Sequence, residues 1–181
     1  DMQIAPLLAQ FMAQYARVEI QAEATDRVVD VVGEGIDIAV RVRPPPLEDS
    51  ELLLRTFAEA GQCLVASPQL LTSGGAPVSP ADLRALPSLA HGQPQSDHHW
   101  DLYGPAGARA TIAHHPRLIT RGMIALRAAA IAGIGVVQLP EMLVHDELAS
   151  GELRRVLPDW TPRREIIHAV FASRREIGRA S

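Results

Sequence analysis

The chain has 181 residues, 47% of them apolar, and a formal net charge of −4. That length supports a sizeable core, no run of about 18 apolar residues spans a bilayer, and a net negative chain lacks the concentrated positive surface that nucleic-acid binding requires. The single cysteine, Cys63, excludes an internal disulfide, and its setting in GQCLVAS marks it as a small buried hydrophobe rather than a nucleophile.

The opening segment, DMQIAPLLAQFMAQYARVEI, lacks a basic n-region, and Asp1, Gln3 and Gln10 interrupt any h-region, so nothing directs secretion and a cytoplasmic location is expected. It reads as a helix carrying an apolar stripe of Leu7, Leu8, Phe11 and Met12. In RVEIQAEAT, Val18, Ile20, Ala22 and Ala24 alternate with Glu19, Gln21 and Glu23, the period of a half-exposed strand. Thr25 then reads as the N-cap of a short helix in DRVVDVVGEG, with Asp26 at its positive end and Gly33 and Gly35 as its stop. DIAVRV follows as a strand, and strand, helix and strand together predict a βαβ unit with parallel strands.

Pro44 to Pro46 forbid continuation as a central strand. Leu52 to Phe57 and Gln62 to Ala66 are expected to pair about a Glu59-Ala60-Gly61 turn. SPQLL begins a helix, and VSPADLRAL is a short helix capped by Ser79 with Pro80 at its first position. HHWDLYGPAGARATIAHH predicts a hairpin about Gly104 to Gly107, with Trp100 and Leu102 on one face. TRGMIALRAAAIAGIGVVQLP predicts a helix from about Gly122 to Ala132, a glycine corner, and a strand from Val136 to Leu139. A dinucleotide fingerprint needs strand, glycines and helix in the opposite order, so Gly133 and Gly135 are C-cap and turn residues rather than a phosphate cradle. All 17 basic residues are arginine, which we read as coding bias. Seven of them cluster from Arg154 to Arg179 and are expected to form a solvated surface rather than a phosphate patch.

That corner, with EATDRVVDVVGEGIDIAVRV, CLVASPQLL and ELASGELRRVLPDW, resembles the effector-binding domain of LysR-type transcriptional regulators. The pattern Asp-x-x-Val-Asp-x-Val-x-Glu-Gly-x-Asp-Ile-Ala-Val-Arg runs from Asp26 to Arg41, and the similarity extends from IAPLLAQF to HAVFASRR. The resemblance implies a two-lobed α/β fold like that of type II periplasmic binding proteins, with two crossing hinge strands. Lobe I would comprise residues 1–66 plus 169–181, and lobe II residues 67–168. It further implies a small-molecule effector in the cleft, a homodimer or homotetramer, no cofactor, no membrane partner, and DNA contact only through a helix-turn-helix outside this chain. By the same comparison the first strand and last helix of lobe I are expected to lie outside the sequence.

Rival readings follow from other residues. His91, His98, His99, His114 and His115 raise a metal site, since a hairpin could join His99 to His114. Adjacent histidines on a strand face opposite ways, however, and no cysteine or close carboxylate completes a four-ligand set, so no metal is expected. An enzyme on the same fold is the second rival. The sequence has no Gly-x-Ser-x-Gly elbow, Cys-His arrangement, His-Glu-x-x-His or P-loop, and a non-enzyme is expected. A transporter's solute-binding protein shares the cleft but needs a signal sequence. Within the regulator reading, Thr25 and Thr120 stand where helices begin beside the cleft. The free N–H groups and partial positive charge of such helix starts suit a carboxylate-bearing effector. The expected effector residues are therefore Thr25, Asp26, Arg43, Thr120, Arg121, Gly122 and Met123.

Overall fold

The computed structural model describes residues 4–25, 27, 29–45 and 53–171. Helix α1 (Ile4–Gln14) carries the expected stripe, yet buries none of its residues; Leu7 is 62% exposed. Val18 to Ala24 are exposed apart from the half-buried Ile20, pair with no described strand and form none. The predicted helix after Thr25 is also replaced, by turns over residues 31–35. Its competitor is visible. Asp30 Oδ1 accepts the N–H groups of Val32 and Gly33, and Arg27 Nη1 donates to Glu34 Oε1 at 2.6 Å. Such local side-chain bonds offer the backbone an alternative to the helical ladder. The βαβ unit is thus not formed, and of its elements only the second strand, β1 (Ala39–Arg43), appears.

Two strands follow, β2 (Leu53–Ala60) and β3 (Gln62–Ala66), where sequence predicts a hairpin. They do not pair with each other. The chain runs on through Gly61, and β2 joins one sheet while β3 joins another. The reason lies in their sides: every β2 residue before Ala60 is exposed, whereas all five of β3 are buried. The first sheet is completed by β11 (Glu165–Phe171), in the order β1-β11-β2, antiparallel throughout.

The second body gathers around β3. Helix α2 (Pro68–Gly74) starts at Ser67, whose side chain accepts the Leu70 N–H at 3.2 Å. A 3-10 helix (Pro80–Ala85) follows, with the Asp82 carboxylate accepting the N–H of Ser79 at 2.8 Å. Strands β4 (Ser88–His91) and β7 (Pro116–Thr120) pair in parallel. The predicted hairpin is β5 (His99–Tyr103) with β6 (Arg109–Ala113), Trp100 facing Ile112. Helix α3 (Met123–Ile131) leads into β8 (Val137–Pro140), then α4 (His145–Ser150), β9 (Arg154–Arg155) and β10 (Thr161–Pro162). The order β8-β3-β9 places β3 at the centre.

Alternation along β3 explains the layering. Cys63 and Val65 join Leu89, Leu126, Val137, Leu139 and Leu153 under α3, while Leu64 and Ala66 join Leu83, Trp100, Leu102 and Val136 under the hairpin. A strand covered on both faces favours an apolar run, here Cys63 to Ala66, and burying each large side chain stabilises by about 1.5–3 kcal/mol. The glycine corner behaves as its order demands. Gly133 adopts φ 75° as the helix stop, with its N–H bonded to Ala130 O, and Gly135 lets β8 lie against the chain entering β4. The result is two lobes joined by two strand crossings, one through Gly61 and one through residues 163–164.

Candidate functional site

A cavity of about 290 Å³ opens beside the crossings. Its wall takes Gln62 from the first residue of β3, Glu165 from the first of β11, Gln138 from β8, Met123 from the start of α3, and Trp100 and His114 from the hairpin. Glu165 and Gln62 meet because β11 runs antiparallel to β2, which places Glu165 opposite Ala60, two residues before Gln62. Gln62, 5% exposed, donates from Nε2 to Glu165 Oε2 at 2.9 Å. Burial pushes the Glu165 carboxyl up, against the opposing pull of His91, Arg43 and the Gln62 bond. Glu165 also lines a second cavity of about 180 Å³, with Pro44, His99, Asp101, Gln138 and Arg163.

Aromatic and imidazole groups form the opposite wall. The His114 ring stacks on Trp100 with centroids 3.9 Å apart and planes 16° from parallel, and its Nδ1 lies 2.8 Å from Ser88 Oγ. Burial, then the nearby His98, His99 and His115, push His114 down to about 4, so it is neutral at physiological pH. The hairpin register brings His98, not His99, beside His114, with ring centroids 6.1 Å apart. Among the described residues no group of three or more His, Cys, Asp or Glu side chains could hold a metal ion.

The expected effector residues divide. Thr120, Arg121, Gly122 and Met123 sit together at the cavity's edge. Met123 lines it, the Arg121 carbonyl accepts the His91 Nε2–H at 3.1 Å, and the Thr120 carbonyl accepts the Gly92 N–H. The cap of α3 is Gly122 rather than Thr120, because Thr120 lies within β7 and its Oγ1 accepts the Gly122 N–H at 3.0 Å. Thr25 starts no helix: its Oγ1 receives only the Arg27 N–H, at 3.4 Å, and it lines neither cavity. Arg43 donates to the Val42 carbonyl and likewise lines neither, although its charge acts on Glu165. Asp26 lies outside the described residues.

Gln62, Gln138 and Glu165 were not among the expected residues. Each is a polar side chain set in or at the start of an apolar strand run, in GQCLVAS, GVVQLP and EIIHAVF, and a buried polar group in such a run asks for a partner. Cys63, 4% exposed, is pushed up to about 11 by burial and stays a thiol.

Two mixed lobes beside two crossing strands define a two-lobed α/β fold like that of periplasmic binding proteins, and the chain belongs to the LysR substrate binding domain family, whose model matches residues 2–181. Among its relatives is the HTH-type transcriptional regulator PtxR of Pseudomonas aeruginosa, 31% identical over 172 residues, covering 95% of this chain and 54% of that protein. The full-length Vibrio cholerae virulence activator AphB is similar with a TM-score of 0.80 at 26% identity, over 93% of this chain and 56% of AphB. The regulatory domain of CrgA, a LysR-type transcriptional regulator from Neisseria meningitidis, matches with a TM-score of 0.77 at 26% identity, over 98% of this chain and 85% of that one. The chain therefore spans little more than half the length of the curated relatives it matches. Among the described residues no helix is long and apolar enough to cross a membrane.

Proposed function

We propose that this chain is the effector-sensing part of a transcriptional regulator. A small organic molecule binds in the cavity at the strand crossings and biases the arrangement of the lobes, and a helix-turn-helix elsewhere in the longer protein contacts DNA. The observation that carries the reading is the cavity itself, walled by the two crossing strands and the start of α3 at once. A ligand there touches both linking strands, and it shifts a conformational equilibrium only by its differential affinity for the two states. The protein works in the cytoplasm as a homodimer or homotetramer, with the uncovered stripe of α1 available for self-association, and it is a sensor rather than an enzyme. The lobe division at 66/67 and 168/169 belongs to this proposal. The pairing of β3 with β8 and β9 favours moving the first boundary back toward Gly61.

Within the cavity, the start of α3 supports a contact to a carboxylate on the effector. The N–H groups of Met123, Ile124 and Ala125 have no acceptor inside the helix. A thermal-shift screen of carboxylic acids and neutral analogues tests this. A ligand at ~100 times its dissociation constant adds ~2.7 kcal/mol. Thr120→Ala, which removes the bond holding the Gly122 N–H, reduces that increment, whereas Thr25→Ala leaves it unchanged. Equal increments in the parent and in Thr120→Ala would remove the α3 contact from the proposal.

A further inference from the structure

Glu165 is the least explained group in the molecule. It opens an otherwise apolar strand, is more buried than exposed, and lines both cavities. A carboxylate in that position is costly unless paired. Among the described residues no Arg or His nitrogen comes within 4.0 Å of it. The six ion pairs found there are made elsewhere, by Glu23, Glu34, Asp101, Glu147, Glu141 and Glu59. Arg43 and His91 act on it only at longer range, while Arg43 Nη1 and His91 Nε2 donate to the Val42 and Arg121 carbonyls. Its sole donor among the described residues is Gln62 Nε2, which serves Oε2. Oε1 receives nothing, and it is not among the enclosed, unsatisfied oxygens of the molecule.

The cavity offers further acceptors in Gln138 and Asp97. Arg163 shares the second cavity with Glu165 but makes no ion pair with it among the described residues. His114 is held neutral and stacked on Trp100, so it adds no charge to the wall. Resting on the reading that the cavity is the effector site, we infer that the effector carries a protonated amine that donates to Glu165 Oε1. An amine there replaces water on Oε1 with a donor that also carries the opposite charge. A purely anionic ligand instead meets the carboxylate as a like charge. With a carboxylate at the start of α3, the two contacts describe a compact amino acid or similar zwitterion.

The test uses a fragment library built in matched triplets of primary amine, alcohol and carboxylate, such as benzylamine, benzyl alcohol and benzoate. Binding is read from the NMR shift of the Trp100 indole N–H. Amine members are expected to bind about tenfold more tightly than their alcohol partners, as a charge-assisted bond in a partly desolvated site provides. Glu165→Gln, which keeps the shape and the Gln62 contact but loses the charge, is expected to bring the pair within about twofold. Should Glu165→Gln fail to fold, the triplet comparison in the unmodified protein decides alone, and Glu165→Asp is expected to retain the amine preference. Carboxylates binding tightest, or amine affinity unchanged in Glu165→Gln, overturns this inference and leaves the cavity reading standing. If no member of any triplet moves the Trp100 signal, both fall.

Discussion

Replacing Gly135 with alanine probes the contact that aligns β8 with β4. A Cβ placed there stands 2.9 Å from the Pro87 carbonyl oxygen and 3.0 Å from the backbone carbons of Pro87 and Ser88. Backbone cannot swing aside as a flexible side chain can, so the two segments must part. The contact is flanked by the Val136 N–H bonded to Pro87 O at 2.8 Å and the Leu89 N–H bonded to Val136 O at 2.9 Å, and parting weakens both. Overpacking costs about 1–3 kcal/mol and each of the two weakened bonds about 0.5–1.5 kcal/mol, which gives about 2–6 kcal/mol in all. For a domain of this size each kcal/mol lowers Tm by about 2–4 °C, so a fall of about 4–24 °C is expected. Thermal and urea unfolding followed by circular dichroism measure it, with Gly107→Ala as the comparison. Gly107 has φ 79° but nothing within 4 Å of a built Cβ, so its substitution carries backbone strain alone, about 1–2 kcal/mol. If Gly135→Ala melts within 2 °C of the parent, or no lower than Gly107→Ala, the close-approach argument is wrong.

Lowering pH should expose His114. Its folded pKa of about 4 lies below the ordinary 6.5, so the unfolded chain binds the proton first, and stability falls as pH drops from about 6.5 toward 4. His114→Gln should flatten that part of a Tm-against-pH curve, and an unchanged slope refutes the assignment. Arg127 Nη1 lies 3.4 Å from Glu147 Oε1, joining α3 to α4, and Glu147 Oε2 is enclosed without a partner. Arg127→Met should therefore cost about 2 kcal/mol, and the double change Arg127→Met with Glu147→Leu should recover most of it; additive losses in urea unfolding would count against the pair. At physiological salt the chain, with net charge −4, should show no sequence-specific duplex binding. A nanomolar gel shift on a promoter fragment contradicts that.

Elements with their own local signals were legible from sequence. Ser67 and Ser79 marked their helix starts, Gly104 to Gly107 the hairpin, and the order of helix, glycines and strand fixed the role of Gly133 and Gly135. Elements that depend on a distant partner were not. Val18 to Ala24 have the right period for a strand, but periodicity supplies no neighbour, and no described strand pairs with them. The segment after Thr25 has helical spacing, yet Asp30 and Glu34 hold it in turns through bonds that spacing does not encode. The site followed the same division. Of Thr120 to Met123, expected from a local helix start, Met123 lines the cavity and the cap is displaced by two residues, while Gln62 and Glu165 lie 103 positions apart and meet only because two strands cross.

The order β1-β11-β2 also sets the sequence in which the molecule can be built. Among the described residues β1 and β2 make no ladder with each other; each bonds to β11, which follows the other described strands in the chain. Until β11 arrives, β1 and β2 lack this shared partner, whereas the described strands of the second lobe, from β3 to β10, have already been synthesised. Closing the intervening segment as a flexible loop would carry a large entropy cost, but a folded insert holds its two ends together beforehand. Assembly is therefore expected to run from the inserted lobe outward, with the β1-β11-β2 sheet closing on it. Mutations that destabilise the insert should consequently slow formation of a sheet in which they have no residue.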